Sequence, residues 1–274
     1  MFKPLFTTAL LLLFFLTAFC QSDTVTAFNY FQKGYIQQTI KNYKEALTQY
    51  DSAVVVNPKY PRTYFYRGLT KYHLNDFKGS IEDYSKFITY NPKSATAFDN
   101  RGYSKFLIED YQGAMDDYDA SIAINQSVYR SYLNRGGLKN RLGHFKDAVA
   151  DFKKALELDS ANADIYFNIG ISKGALDDNN GAILAFTDAI RLRPMFEMAY
   201  LYRGTNKSLL NDADGATADL NQCLKINPRN SEAYLSRGAL KLDKSDKAGA
   251  CADFQKALSL GNKRALAIIQ ENCN

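Results

Sequence analysis

The sequence predicts an all-α solenoid of seven helix-turn-helix repeats closed by a short C-terminal helix. Three observations carry that prediction. Glycine recurs every 34 residues without slippage, at Gly34, Gly68, Gly102, Gly136, Gly170, Gly204 and Gly238. An aromatic stands four residues before each glycine: Tyr30, Tyr64, Phe98, Tyr132, Tyr166, Tyr200 and Tyr234. A small residue follows twelve positions after it (Ala46, Ser80, Ala114, Ala148, Ala182, Ala216, Ala250) and a large apolar one sixteen after (Tyr50, Tyr84, Tyr118, Phe152, Phe186, Leu220, Phe254). A fixed period of this length marks units that bury their apolar faces by stacking on one another.

Residues 1–20 read apart from this pattern. Lys3 precedes an apolar run from Leu5 to Phe19, interrupted only by Thr7, Thr8 and Thr17. The run is the core of a signal peptide and is short for a membrane span. Cleavage after Cys20 leaves Gln21 as the first residue. A lipid-anchored Cys20 and an uncleaved anchor are the rivals; Phe19 argues against the lipid, because such signals place a small residue before the cysteine. Every version puts the body of the chain outside the cytoplasm, as a secreted, periplasmic or envelope protein, where disulfides form.

The repeats divide as 27–60, 61–94, 95–128, 129–162, 163–196, 197–230 and 231–264. Each holds two helix-length segments around a polar break such as His73–Asp76. Asn-Pro pairs such as Asn57–Pro58 and Asn91–Pro92 end the second helix, because the residue before proline avoids helical dihedrals. Glycine costs helix stability, on the order of 1 kcal/mol, so a repeated glycine needs a packing reason. The expectation is close approach of the two helices, glycine opposite alanine. Residues 265–274, with Leu266, Ile268 and Ile269 among polar neighbours, read as a capping helix.

In its aromatic, glycine, alanine, second aromatic and closing proline (Pro58, Pro92, Pro194, Pro228), the chain resembles the tetratricopeptide repeat family over about residues 27–264. The resemblance implies a right-handed superhelix whose first helices line a concave groove. One position departs from the family pattern: three residues after the glycine stand Lys71, Lys105, Lys139, Lys173, Lys207 and Lys241. A lysine there is expected on the solvent side.

Two charged positions vary together. Arg67, Arg101, Arg135, Arg203 and Arg237 directly precede the glycine, and Asp83, Asp117, Asp151, Asp219 and Asp253 stand fifteen after it. The two repeats without the arginine (Lys33, Ile169) are the two without the aspartate (Gln49, Ala185). In an antiparallel pair the two positions lie about 3 Å from level at 1.5 Å per residue, so a structural Arg–carboxylate pair is expected within each repeat.

Catalytic and metal chemistry find no residue set. His73 and His144 lie at different registers without metal-ligand spacing to cysteine. Phosphate-cradling, calcium-binding and nucleophile motifs are missing. Net charge is a mild +5 with no basic stripe, so nucleic acid is not the expected partner. No cofactor is implied. Cys223 and Cys251 take apolar core positions; if Cys251 faces the cap, it and Cys273 are placed to bond.

On the groove face that the resemblance implies, the N-terminal repeats are aromatic and mildly basic and the later ones small. The residues expected to hold a peptide are Tyr35, Arg62, Tyr66, Tyr72, Asn100, Tyr103, Arg130, Asn134 and Arg141. Tyr and Arg are frequent binding anchors, and the Asn amides suit an extended backbone. The lysine and asparagine set of the family's chaperone-tail binders is missing: Phe31, Tyr35, Asn100, Arg130 and Asn134 stand there. The predicted function is a non-catalytic scaffold for a protein or peptide partner, touching a membrane only through an N-terminal anchor. The alternative is a structural subunit of an envelope or secretion complex.

Overall fold

The structure, a computed structural model, describes residues 23–273, so the expected signal segment and Cys20 lie outside the described residues. The described residues form helices joined by short turns. Helix α1 spans residues 23–39. It is followed by α2 (Tyr43–Val56), α3 (Pro61–His73), α4 (Phe77–Tyr90), α5 (Ala95–Leu107), α6 (Tyr111–Ile124) and α7 (Tyr129–Arg141). Then come α8 (Phe145–Leu158), α9 (Ala163–Ala175), α10 (Asn179–Leu192), α11 (Glu197–Leu209), α12 (Ala213–Ile226), α13 (Ser231–Asp243), α14 (Lys247–Ser259) and α15 (Arg264–Asn272). Odd-numbered helices from α1 to α13 open a pair and even-numbered ones close it. The chain divides into two compact units, one ending at Asn134 and the other beginning at Arg135. Among the described residues no helix is long and apolar enough to cross a membrane.

The residues sixteen after each repeat glycine form the centre of each pair: Tyr50, Tyr84, Tyr118, Phe152, Phe186, Leu220 and Phe254 are at most 1% exposed. Burying such a side chain contributes about 1.5–3 kcal/mol. In five of the seven repeats (Gly34, Gly102, Gly136, Gly170 and Gly238) the glycine meets this ring rather than the alanine; Gly204 faces the Ala216 carbonyl instead. A methyl group on Gly170 would lie 2.5 Å from the Phe186 ring, and on Gly136 2.6 Å from Phe152. The first helix thus approaches until the flat ring of its partner touches glycine backbone. Alanine, at 0% exposure, lies in the same core.

Each turn inside a pair uses one left-handed residue seven positions after the repeat glycine. Lys41, Asn75, Glu109, Asp177, Asn211 and Ser245 have φ between 59° and 65°, and Gly143 has φ 80°. The backbone N–H one residue later closes the helix end, as in Asp76 N to Lys71 O at 2.9 Å. Only the fourth turn carries the residue best suited to that conformation. Gly143→Ala is expected to destabilise by about 1 kcal/mol, read by urea unfolding.

The second helix of five pairs opens on an aspartate cap. Asp76, Asp110, Asp178, Asp212 and Asp246 accept the backbone N–H of Gly79, Gly113, Gly181, Gly215 and Gly249 at 2.9–3.0 Å. A Cβ on those glycines would meet the capping carboxylate, which explains their recurrence. At the far end, Asn57 and Asn227 accept the N–H of Lys59 and Arg229 at 2.9 Å, turning the chain into the following proline loop.

Candidate functional site

Two constellations stand out, one binding the helix pairs together and one opening to solvent. In the first, a carboxylate only 2–5% exposed receives two cations. Arg67, Arg101, Arg135, Arg203 and Arg237 donate Nη2 to Oδ1 of Asp83, Asp117, Asp151, Asp219 and Asp253 at 2.6–2.7 Å. Their Nε donates to the other oxygen at 2.8–2.9 Å. The lysine three after the glycine is not solvent-facing, as the sequence suggests it should be. Lys71, Lys105, Lys139, Lys207 and Lys241 reach the same carboxylate at 2.7–2.9 Å. A buried carboxylate is a stronger attractor for Nζ than bulk water is at that position. Lys173, in the repeat that has Ala185 instead of aspartate, turns to the capping Asp178 at 3.3 Å.

The arginines also lie 5.3–5.5 Å over the preceding ring in four repeats, Arg67 on Tyr64, Arg101 on Phe98, Arg203 on Tyr200 and Arg237 on Tyr234. Their Nη1 reaches back to the second helix of the preceding pair. Arg67 donates to Asp51, Arg101 to Ser85, Arg203 to Thr187 and Arg237 to Asn221, at 2.8–3.0 Å. One guanidinium therefore joins its own pair and the one before. Where Ile169 replaces arginine, the preceding slot holds Lys153, a residue that would repel it.

The second constellation lies on the first helices of the first unit. Its N-terminal part is an aromatic group: Phe31, 4% exposed, stacks with Tyr35 and meets Tyr66 edge-on at 5.4 Å. Tyr35 and Tyr66 also meet edge-on at 5.4 Å, and the Arg62 guanidinium lies 5.8 Å from the Phe31 ring. Tyr35 remains 41% exposed. Further along, Phe65, Tyr72, Asn100, Tyr103 and Arg130 line a cleft of about 260 Å³. Tyr72 and Tyr103 rings are 5.8 Å apart. The buried Tyr84 also lines the cleft. Phe87, the large residue at an otherwise small register, backs Phe65 at 5.1 Å.

Beneath the cleft sits a residue that the sequence analysis did not single out. Three positions before the glycine, the other repeats carry Phe31, Phe65, Leu133, Phe167, Leu201 and Leu235; the third carries Asp99. Asp99 is 1% exposed. Burial raises its pKa above the ordinary carboxylate value, opposed by Arg130 and by hydrogen bonds from Asn134 and Ser131. Asn134 donates its Nδ2 to Asp99 Oδ1 at 3.0 Å, and Arg130 Nε stands 3.7 Å from Oδ2. Asn134 thus spends an amide hydrogen inside the protein. Asn168, at the same register, donates to its own helix backbone at Asp164 O, 2.8 Å away. A register comparison would have exposed Asp99, because it is an acid in an apolar column.

The family model for the TPR, or tetratricopeptide, repeat matches residues 140–177. The fold is similar to that of a tetratricopeptide repeat protein from Parabacteroides merdae ATCC 43184, with 20% identity and a TM-score of 0.69 over 91% of this chain and 99% of that one. The fold is the tetratricopeptide repeat fold. The C-terminal part of a TPR repeat-containing protein from Cytophaga hutchinsonii is similar at 17% identity and TM-score 0.67, covering 86% of this chain and 98% of that one. YrrB, described as a TPR protein with an unusual peptide-binding site, matches at 20% identity and TM-score 0.58, over 69% of this chain and 97% of that one. No curated protein matches the sequence. Tetratricopeptide repeats form a scaffold fold typical of protein–protein interaction.

The remaining site residues lie in the second tetratricopeptide unit. Arg141 is exposed near the end of α7, on the other side of the unit boundary from Arg130 and Asn134. Cys251 and Cys273 are bonded, with Cα atoms 5.6 Å apart, and join α14 to the end of α15. Cys223 is fully buried, and burial pushes its thiol up to about 12. It is a core residue rather than a nucleophile.

Proposed function

We propose that this chain is an exported, non-catalytic tetratricopeptide scaffold that holds a protein or peptide partner as an extended segment along the first helices of its N-terminal unit. The observation that carries the reading is the cleft of about 260 Å³ in which Tyr72, Asn100, Tyr103 and Arg130 converge. These groups offer apolar ring surface, an amide and a cation within one opening, the mixture that fixes a peptide by side chain and backbone together. The exposed ring of Tyr35 beside Tyr66 extends the same surface. Asn134 acts through Asp99 and Arg130, steadying the cation rather than gripping the partner. Export is supported by the apolar segment ahead of Gln21 and by the Cys251–Cys273 bond, which suits an oxidising compartment. YrrB, a TPR protein with an unusual peptide-binding site, is in keeping with this reading.

The test is capture of the partner from the cell envelope fraction, followed by affinity measurement on variants. Tyr66→Ala and Tyr103→Ala should each weaken binding by about 1–2 kcal/mol or more with helical content unchanged. Gln255→Ala, an exposed change on α14, is the control. Unchanged affinity in both tyrosine variants would replace this reading by the structural-subunit alternative. N-terminal sequencing of the exported form should begin near Gln21; a lipidated Cys20 or an intact Met1 would overturn that part.

A further inference from the structure

The second unit contains a pocket that neither the repeat scaffold nor the proposed partner face accounts for. It encloses about 160 Å³ and is lined by residues of α9, α10 and α11, among them Gly170, Gly174, Phe186, Tyr202 and Asn206. Its origin is one register position. Four residues after the repeat glycine, α3 carries Tyr72 and α5 carries Phe106, whose rings stand 5.8 and 6.1 Å from that of Tyr103. In α9 that position is Gly174, so no ring occupies the corresponding space. The first helix of the following pair, α11, has Thr205 at the register of Tyr103, and the second ring is gone as well.

A second, independent feature points to a ligand. Asn206 is 6% exposed and lines the pocket. Its Nδ2 donates to Tyr202 O at 2.7 Å, while its Oδ1, shielded from water, accepts no hydrogen bond. Exchanging the two amide atoms would set Oδ1 against the Tyr202 carbonyl, so the orientation is determined. Oδ1 is turned toward Gly174: a Cβ on that glycine would lie 3.2 Å away. At the same register Thr70, Ser104 and Ser172 spend their hydroxyls on their own helix, and Leu138 and Leu240 carry no polar atom. A buried acceptor without a donor is unfavourable, and here it borders an open space.

We propose that this pocket binds an aromatic side chain of a partner segment, its ring seated over Gly174 and its hydrogen-bond donor, a phenol hydroxyl or indole N–H, meeting Asn206 Oδ1. The ring takes the place that Tyr72 and Phe106 hold in the first unit. A modest rotation of the amide about χ2, a soft torsion, presents Oδ1 to the donor. The size agrees, since an apolar cavity of about 150 Å³ accepts benzene. Tyr202 and Leu209, 37% and 65% exposed, supply apolar surface at the rim. The site does not depend on the partner face of the first unit.

The experiment titrates the full chain, labelled at isoleucine and leucine methyl groups, with 4-methylphenol, 3-methylindole and toluene. The two donor-bearing rings should shift Ile171 and Leu209 signals saturably and bind about fivefold more tightly than toluene, the worth of one hydrogen bond. Gly174→Tyr, which supplies the ring in cis, should abolish binding of all three probes. Asn206→Leu, the residue found at this register in Leu138 and Leu240, should keep toluene binding and erase the preference. The proposal is overturned by absence of saturable shifts, by shifts that survive Gly174→Tyr, or by a preference that survives Asn206→Leu. Should Gly174→Tyr not fold, the Asn206→Leu comparison decides alone.

Discussion

Replacing Asp151 by alanine is expected to destabilise the second unit by about 3–5 kcal/mol, the penalty for stranding charges whose partner was buried. The carboxylate is 4% exposed and receives Arg135 and Lys139 together, at 2.6 and 2.7 Å. Its loss removes the buried anion that both cations share. Arg135→Ala should be milder, about 1.5–3 kcal/mol, because Lys139 stays to neutralise the aspartate. The double variant should lose less than the sum, as groups in one network do. Urea unfolding of the four proteins checks this; plain additivity would show that the charges do not interact. Acid should act in the same direction. Burial raises the Asp253 pKa, but its bonds with Arg237 and Lys241 outweigh that and hold it below the ordinary value. Its stabilising contribution is therefore complete above the unfolded carboxylate pKa and is lost as pH falls through the folded one. Asp99 has the opposite sign: its raised pKa makes it less favourable to the fold as pH climbs through that value.

Removing the Cys251–Cys273 bond should destabilise the C-terminal cap by about 3 kcal/mol in the chain-entropy view, given a sequence separation of 22. The consequence is local. Helix α15 has one fully buried residue, Ala265, and otherwise leans on partly buried Ile268, Ile269 and Cys273 against Leu235 and Phe254. A nine-residue helix with so little burial is marginal without a covalent tie. Cys273→Ser is expected to raise amide exchange across Arg264–Asn272 well before the rest of the unit responds. Equal protection of α15 in the oxidised and Cys273→Ser proteins would show that packing alone holds the cap.

The Arg–Asp–Lys cluster shows what repetition reveals and what it hides. Arginine and aspartate disappear from the same two repeats, so their relation is written in the covariation of the columns. Lysine carries only a broken mark. It gives way to Gln37 in the first repeat, which lacks the aspartate, but Lys173 persists in the fifth, which lacks it too, so the columns do not pair lysine with aspartate. The third contact of Arg67, Arg101, Arg203 and Arg237 is hidden for a related reason: Asp51, Ser85, Thr187 and Asn221 share an acceptor oxygen but not a residue type.

The candidate cleft divides in the same way. Tyr72, Asn100, Tyr103 and Arg130 were legible as polar and aromatic residues on the first helices. That Asn134 turns inward depended on Asp99, one acid in a column of Phe and Leu. Its effect is felt only once α5 and α7 lie side by side.

By itself, the sequence determined the helical repeat, its 34-residue period, the close approach of two helices at each repeat glycine, and the polarity of each column. These follow from local rules, because every repeat solves the same packing problem with the same residues. Only the tertiary structure decided which atoms meet between neighbouring columns: ring rather than alanine over the glycine, lysine on the carboxylate, an empty space at Gly174. The reason is physical. A column position states what kind of side chain is present, whereas its partner is chosen by distances of a few ångströms across helices, where burial makes one contact far stronger than its alternatives.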